Sequence, residues 1–346
     1  MLLEGLHLPL TTPFYPDGRL NLRKLEHNVD RYSRTPVAAL VALAETGEPA
    51  MLSDAETREA LVAAMGAAAE TKVMIAGVSR GSVAGTLVLA ESAAALGYDA
   101  VLVKRPGFLR GGQLREVLTY FQAVADRSPL PVVLYSTAAG APLSTEEVAE
   151  LAGHPQVIGL ADEYPARVGE LRAATAAVRR EVTVTTVFAA ATGRMLAVKN
   201  SGGAATFVSA ESLGGGAAVA TAPPKPAVKT RTKTVGFQIL AASSAGMLGG
   251  LRAGAVGAMP GFAACAPQAC YEVFAAWKDD DQALADEKQG RLATAIALVE
   301  EQLGVPGIRY GCDLNGYFGG RPRLPLLPLG GEAREAVERV MAGIRS

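Results

Sequence analysis

The chain has 346 residues, 49% of them hydrophobic and 19% charged, a balance that suits one large globular barrel or two smaller domains. Its formal net charge is -1, so no overall field favours nucleic acid or an anionic membrane. No run approaches the length of a membrane span, and Met1 is not followed by a basic segment and an apolar core, so the expectation is a cytoplasmic protein with no membrane partner.

In chain order, residues 3–11 read as a strand ending in Thr11-Thr12-Pro13-Phe14, followed by a Pro16-Asp17-Gly18 turn. Leu22, Leu25 and Val29 then mark one helix face. Residues 37–43 form a buried strand ending in Ala44-Glu45-Thr46-Gly47-Glu48, and Ser53 with Glu56 caps an Ala-rich helix running to about Glu70. A strand at 72–78, a helix at 82–96 closed by Gly97, a strand at 99–104 and a helix at 113–127 continue the alternation. Residues 131–134 and 157–160 are apolar throughout, as strands buried on both faces of a parallel sheet must be. Between them, Ser144 and Glu147 form a second capping signal and Gly153 a stop. These strands end in Tyr135-Ser136-Thr137 and Asp162-Glu163. Regular alternation predicts parallel β/α units, and in a β/α barrel the C-terminal strand ends carry the chemistry.

After a helix predicted at 166–180 the pattern breaks. Two pairs of segments compete for the last two strands: 182–190 with 204–209, and 235–241 with 255–259. If the second pair is taken, residues 181–233 are an insertion. It holds a linker-like Ala222-Pro223-Pro224-Lys225-Pro226 run and a basic Lys229-Thr230-Arg231-Thr232-Lys233 run, expected as a solvated surface loop. The tail has helical spacing over 271–278 and 282–303. Cys265, Cys270 and Cys312 fit no zinc spacing and read as buried thiols. His7, His27 and His154 fall in no ligand pattern, and neither a Gly-rich dinucleotide loop nor a Walker loop is present. No cofactor and no metal are expected.

The segments Val133-Leu134-Tyr135-Ser136 and Ile158-Gly159-Leu160-Ala161-Asp162 resemble the V-x-Y-N and I-G-[IL]-K-[DE] motifs of the dihydrodipicolinate synthase/N-acetylneuraminate lyase family. Glu45-Thr46-Gly47-Glu48 resembles that family's G-T-T-G-E loop. Gly319-Gly320-Arg321-Pro322-Arg323-Leu324-Pro325-Leu326 resembles its G-x-x-R-x-P-L segment. The likeness covers about 1–180 and 234–346. It implies a (β/α)8 TIM barrel over 1–262 with an insertion at about 181–233 before the seventh strand, and a C-terminal helical extension over 263–346. Family spacing also favours 235–241 and 255–259 as the last two strands.

The resemblance further implies a class I aldolase acting on a small 2-keto acid such as pyruvate, assembled as a homodimer or homotetramer. Tyr135 would shuttle protons, which requires a site that lowers its pKa or a hydrogen-bonded relay. Glu45, Thr46 and Gly47 would belong to the loop that holds the substrate carboxylate and whose second position helps the tyrosine's proton relay, with Thr46 counted among the catalytic residues and Glu45 and Gly47 among the substrate-binding ones. A carboxylate at Glu45 would repel an anionic keto acid. Ala161 stands at the position of the Schiff-base lysine, and a methyl group supplies no nucleophile. Lys104, at the end of the fourth strand, is the nearest alternative amine. An arginine that family synthases use for a second carboxylate is missing from Ser136-Thr137-Ala138-Ala139-Gly140-Ala141, and Phe108 stands near the place of a tyrosine contributed by a neighbouring subunit. Two accounts of Ala161 follow. One is a lyase whose lysine is absent; the other is a catalytically inactive barrel kept as a small-molecule binder or oligomeric partner.

Overall fold

Short runs of Val, Ile, Leu and Ala too apolar to face water form the wall of a barrel. The computed structural model describes residues 1–137, 142–186, 189–201 and 228–344. In chain order it contains β1 (Gly5–Pro9), α1 (Leu22–Ser33), β2 (Ala39–Ala42), α2 (Asp54–Ala67), β3 (Val73–Gly77), α3 (Val83–Leu96), β4 (Ala100–Lys104) and α4 (Leu114–Ala125). It continues through β5 (Val132–Ser136), α5 (Thr145–Ala152), β6 (Val157–Asp162) and α6 (Val168–Ala174). The predicted caps are in place: Ser53 with Glu56 and Ser144 with Glu147 form capping boxes, and Gly97 ends α3 in the left-handed region.

The chain then leaves the wall. β7 (Arg180–Val184) pairs antiparallel with β8 (Arg231–Val235), outside the barrel. Between them lies α7 (Gly193–Ser201). The wall resumes with β9 (Gln238–Ala241), α8 (Met247–Arg252) and the two-residue β10 (Gly257–Ala258). Eight parallel strands close in the order β1-β2-β3-β4-β5-β6-β9-β10, so the chain is a (β/α)8 barrel with an insertion before its seventh strand. The tail follows as α9 (Pro267–Lys278), α10 (Gln282–Ile296), a π-helical turn (Ala297–Gln302), α11 (Gly304–Leu314) and α12 (Gly331–Met341).

Alternation along each strand separates two cores. Ala100 and Leu102 join Val41, Ile75, Val133, Tyr135, Ala161 and Leu240 inside the barrel, while Val101 and Val103 pack outward against the helices. Gly159 is needed where β6 meets β9. A Cβ there would lie 2.4 Å from the Gln238 carbonyl and 2.6 Å from Leu3 Cδ1.

Several expectations change. The sixth helix stops at Ala174, because residues from Arg180 are drawn into the ribbon. Part of the basic run is strand β8, not loop, and Lys233 Nζ donates to Glu4 at 3.0 Å. The run 282–303 is interrupted by the π turn. The competing segment 204–209 and the Pro-rich run 222–226 lie outside the described residues. The insertion docks at the N-terminal strand ends. Arg194 donates to the Ala68 and Lys72 carbonyls at 2.8 and 2.7 Å, ahead of β3, and Gly193 N–H donates to Asp99 at 2.7 Å, ahead of β4. Among the described residues no helix is long and apolar enough to cross a membrane. All three cysteines are buried and unpaired.

The tail is fastened by Arg309, the largest fully buried side chain of the described residues. Its Nε donates to Glu48 Oε1 at 2.6 Å, Nη1 to the Gly319 carbonyl and Nη2 to the Thr12 carbonyl, both at 2.5 Å. Arg309→Ala should leave the Glu48 carboxylate buried without its main partner, lowering unfolding free energy by about 3–5 kcal/mol. Urea denaturation checks this, and a loss below about 1 kcal/mol, the range of an exposed pair, would contradict it.

Candidate active site

Strand register brings the sequence motifs together. Lys104 pairs with Tyr135, Tyr135 with Ala161, and Ala161 with Leu240. These residues form one rung at the C-terminal end of β4, β5, β6 and β9. Paired residues of parallel strands point to the same face, so Tyr135 and Ala161 are side by side on the interior. Tyr135 Oη donates to Glu163 Oε1 at 2.8 Å. Burial raises the phenol's pKa well above its ordinary value, and the carboxylates of Glu163, Glu45 and Glu300 push the same way. Of the two routes open to a proton-shuttling tyrosine, lowering its pKa is therefore not the one taken; the hydrogen-bonded route, through Glu163, is present.

The Glu45–Gly47 segment forms a tight 3-10 turn after β2. Glu45 does not stand alone as a repelling charge, because Lys104 Nζ forms an ion pair with it. That contact also engages the Lys104 amine. Thr46 Oγ1 donates to the Leu10 carbonyl at 3.2 Å, and Gly47 N–H donates to the Ala44 carbonyl at 2.9 Å. Thr46 and Gly47 thus hold the turn together by bonds to neighbouring backbone. Glu48 is committed to Arg309. Phe108, in the short turn after β4, is 69% exposed. Residues 138–141, where the family arginine was sought, lie outside the described residues.

Two carboxyls escape the motif reading. Glu163 directly follows the Ile158–Asp162 motif, and that adjacency was a usable signal. Glu300 had none, since it sits mid-run in the helical tail. The π turn rotates it toward the strand-end loops. A Cβ on Gly261, in the loop after β10, would lie 2.5 Å from Glu300 Oε1 and 3.6 Å from Thr46 Cγ2. Ser244, in the loop after β9, and the Phe262 amide also lie beside this carboxyl. Burial, with a smaller contribution from Glu163, raises its pKa to about 7, against the opposing pull of Ser244 and Phe262. Its Oε2 is buried and takes no hydrogen bond. Among the described residues no group of three or more His, Cys, Asp or Glu side chains is gathered closely enough to hold a metal ion.

Residues 2–219 match the sequence model of the dihydrodipicolinate synthetase family. The chain belongs to that family. It is 39% identical over 175 residues to a 4-hydroxy-tetrahydrodipicolinate synthase of Xanthomonas axonopodis pv. citri, a match covering 49% of this chain and 58% of that one. The chain thus spans little more than half the length of that curated relative. Among solved structures it resembles the dihydrodipicolinate synthase DapA-2 of Bacillus anthracis, with a TM-score of 0.78, 18% identity and full coverage of both chains. It also resembles YagE, a prophage protein of E. coli K12 solved in complex with pyruvate, with a TM-score of 0.75, 19% identity and 99% coverage of both. At such identities these two likenesses concern the fold.

Within this family member the buried Glu300 acid makes stability depend on pH. Its folded-state pKa of about 7 exceeds the ordinary 4.5, so the folded state holds the proton more tightly. That contribution is intact below pH 4.5 and is lost as pH rises through 7. The loss is on the order of 3 kcal/mol. Melting temperature should fall between about pH 5 and 8, and Glu300→Gln should flatten the fall; an unchanged slope in the variant would contradict this.

Proposed function

We propose that the barrel mouth binds a small 2-keto acid or related carbonyl compound, as a member of an aldolase and lyase family, and does so without a Schiff base. The observation that carries this reading is the rung in which Tyr135, hydrogen-bonded to Glu163, lies beside Ala161. Tyr135, Thr46 and the Ala161 position are the proposed catalytic surroundings, with Glu45, Gly47 and Lys104 at the binding edge. YagE, which shares the fold and was solved in complex with pyruvate, supports the ligand class. The Lys104–Glu45 pair supports it too, because it offsets a charge that would otherwise oppose an anionic ligand.

Pyruvate should perturb the protein in ligand-observed NMR, yet borohydride should trap no adduct on the chain as it stands. In Ala161→Lys the new amine would sit beside Tyr135 and near Glu163. Nearby carboxylates favour its protonated form, so trapping should appear and increase with pH from 7 to 10. Mass spectrometry reads both cases. An adduct on the unmodified chain would overturn the imine-free reading and point first to Lys104.

Self-association as a homodimer or homotetramer is part of the same reading. Phe108, exposed beside the strand-end loops, is the proposed contact. Light scattering should give a multiple of the monomer mass, and Phe108→Glu should shift it toward the monomer. A monomer at micromolar concentration in the parent would contradict the assembly.

A further inference from the structure

Glu300 reaches the barrel mouth from outside the β/α units. The π-helical turn that carries it is a local departure from regular helix, of a kind often found at functional sites. The turn delivers the carboxyl to loops that follow three wall strands: Thr46 after β2, Ser244 after β9 and Gly261 after β10. Gly261 lacks the Cβ that would collide with it. A buried oxygen with no partner is costly unless something answers it, and Oε2 has none.

We propose that Glu300 is the acid that polarises the carbonyl of the ligand, near the Tyr135–Glu163 pair, so that the site enolises a 2-keto acid without an imine. This rests on the keto-acid reading above. The step balances within named groups. The Glu300 proton passes to the ketone oxygen. The C3–H electron pair becomes the new C2=C3 bond, and the carbonyl π pair becomes the O–H bond. The C3 proton passes to the Glu163 carboxylate, directly or through the Tyr135 phenol. Reversal in heavy water returns a deuteron to C3. No amine, metal or oxidant enters the balance.

The groups facing Glu300 are consistent with an acid in its neutral form. They are Glu163 and Tyr135 from the wall, Cys265 and Cys270 ahead of and within α9, and Glu301 on its own turn; Ser244 and the Phe262 amide act the other way. Among the described residues, none of these side chains brings a cation. An acid that stays neutral up to about pH 7 has a proton to give.

The test is hydrogen–deuterium exchange at the pyruvate methyl group, followed by proton NMR in heavy water with the buffer rate subtracted. The parent should exchange, with a rate that falls above about pH 7. Glu300→Gln, which keeps the shape and loses the acid, should lose at least tenfold in rate at pH 6 and lose the break near 7, while still binding pyruvate. Glu300→Asp should retain the break, which guards against a variant lost to misfolding. Glu287→Gln, an exposed change on α10, should match the parent. Equal rates and pH profiles in parent and Glu300→Gln would overturn the role of Glu300. A parent that binds pyruvate but exchanges no faster than buffer would overturn it as well, leaving the keto-acid reading intact. A parent that does not bind pyruvate would overturn both.

Discussion

The buried ion pair between Arg309 and Glu48 is the constraint on which the rest of the molecule depends. Neither partner has water to turn to. Removing two charges from water costs several kcal/mol per ion, and only close geometry with extra hydrogen bonds offsets that cost. Arg309 meets the condition by spending its remaining donors on the Thr12 and Gly319 carbonyls. The pair therefore pins three segments at once: the loop after β1, the Glu45–Glu48 turn after β2, and the tail segment from α11 to Gly319. Glu48 adopts a left-handed backbone (φ 53°) to present its carboxylate. Arg323 adds to the clamp from the same side, donating its amide to Glu48 Oε2 at 3.3 Å, and its guanidinium shares the Phe14 ring with that of Arg309. The last letter of the Thr46-Gly47-Glu48 motif is thus explained by architecture. It fixes the turn on which Glu45 and Thr46 sit, and it holds the tail close enough for Glu300 to reach the mouth.

Much of the barrel was legible because its strands obey simple rules. A strand buried on both faces has to be largely apolar, and 131–134 and 157–160 are apolar throughout, while 235–241 admits one polar residue, Gln238, whose amide is satisfied by the Leu3 N–H and the Met1 carbonyl. Capping boxes at Ser53 and Ser144 depend on contacts three residues apart, so spacing alone reveals them. The ribbon was harder. Arg231–Val235 alternates charge with Thr and Val and reads as a solvated run until its antiparallel partner at Arg180–Val184 is known. Its pairing joins residues some fifty positions apart, which no local pattern encodes. The same limit applies at the site. Tyr135 and Ala161 were found because each ends a recognisable strand. The Lys104–Glu45 pair, the Tyr135–Glu163 bond and the approach of Glu300 all join side chains far apart in sequence, and only closure of the barrel makes them neighbours.

Electrostatics at the mouth differ in kind from those of a lysine-bearing aldolase. Imine chemistry needs an amine that gives up its proton. Here the interior rung offers a methyl group at Ala161, and three carboxyls surround the phenol of Tyr135. One is offset by Lys104, one accepts from the phenol, and one is driven toward its neutral form by burial. Such an arrangement disperses negative charge by three different means.

At the other end of the barrel, the antiparallel ribbon has a consequence for how this architecture tolerates change. Arg180 and Val235 are register partners across the ribbon, so the chain departs from the wall and returns to it within one strand spacing. The wall strands β6 and β9 are adjacent whatever length of chain lies between those two points. The described residues between them behave as a cassette. Because loop-closure entropy grows only with the logarithm of length, sequence can be gained or lost there at little cost to the barrel. The cassette docks below β3 and β4, on the face associated with stability. Evolution can therefore rewrite it without disturbing the C-terminal strand ends at the opposite face.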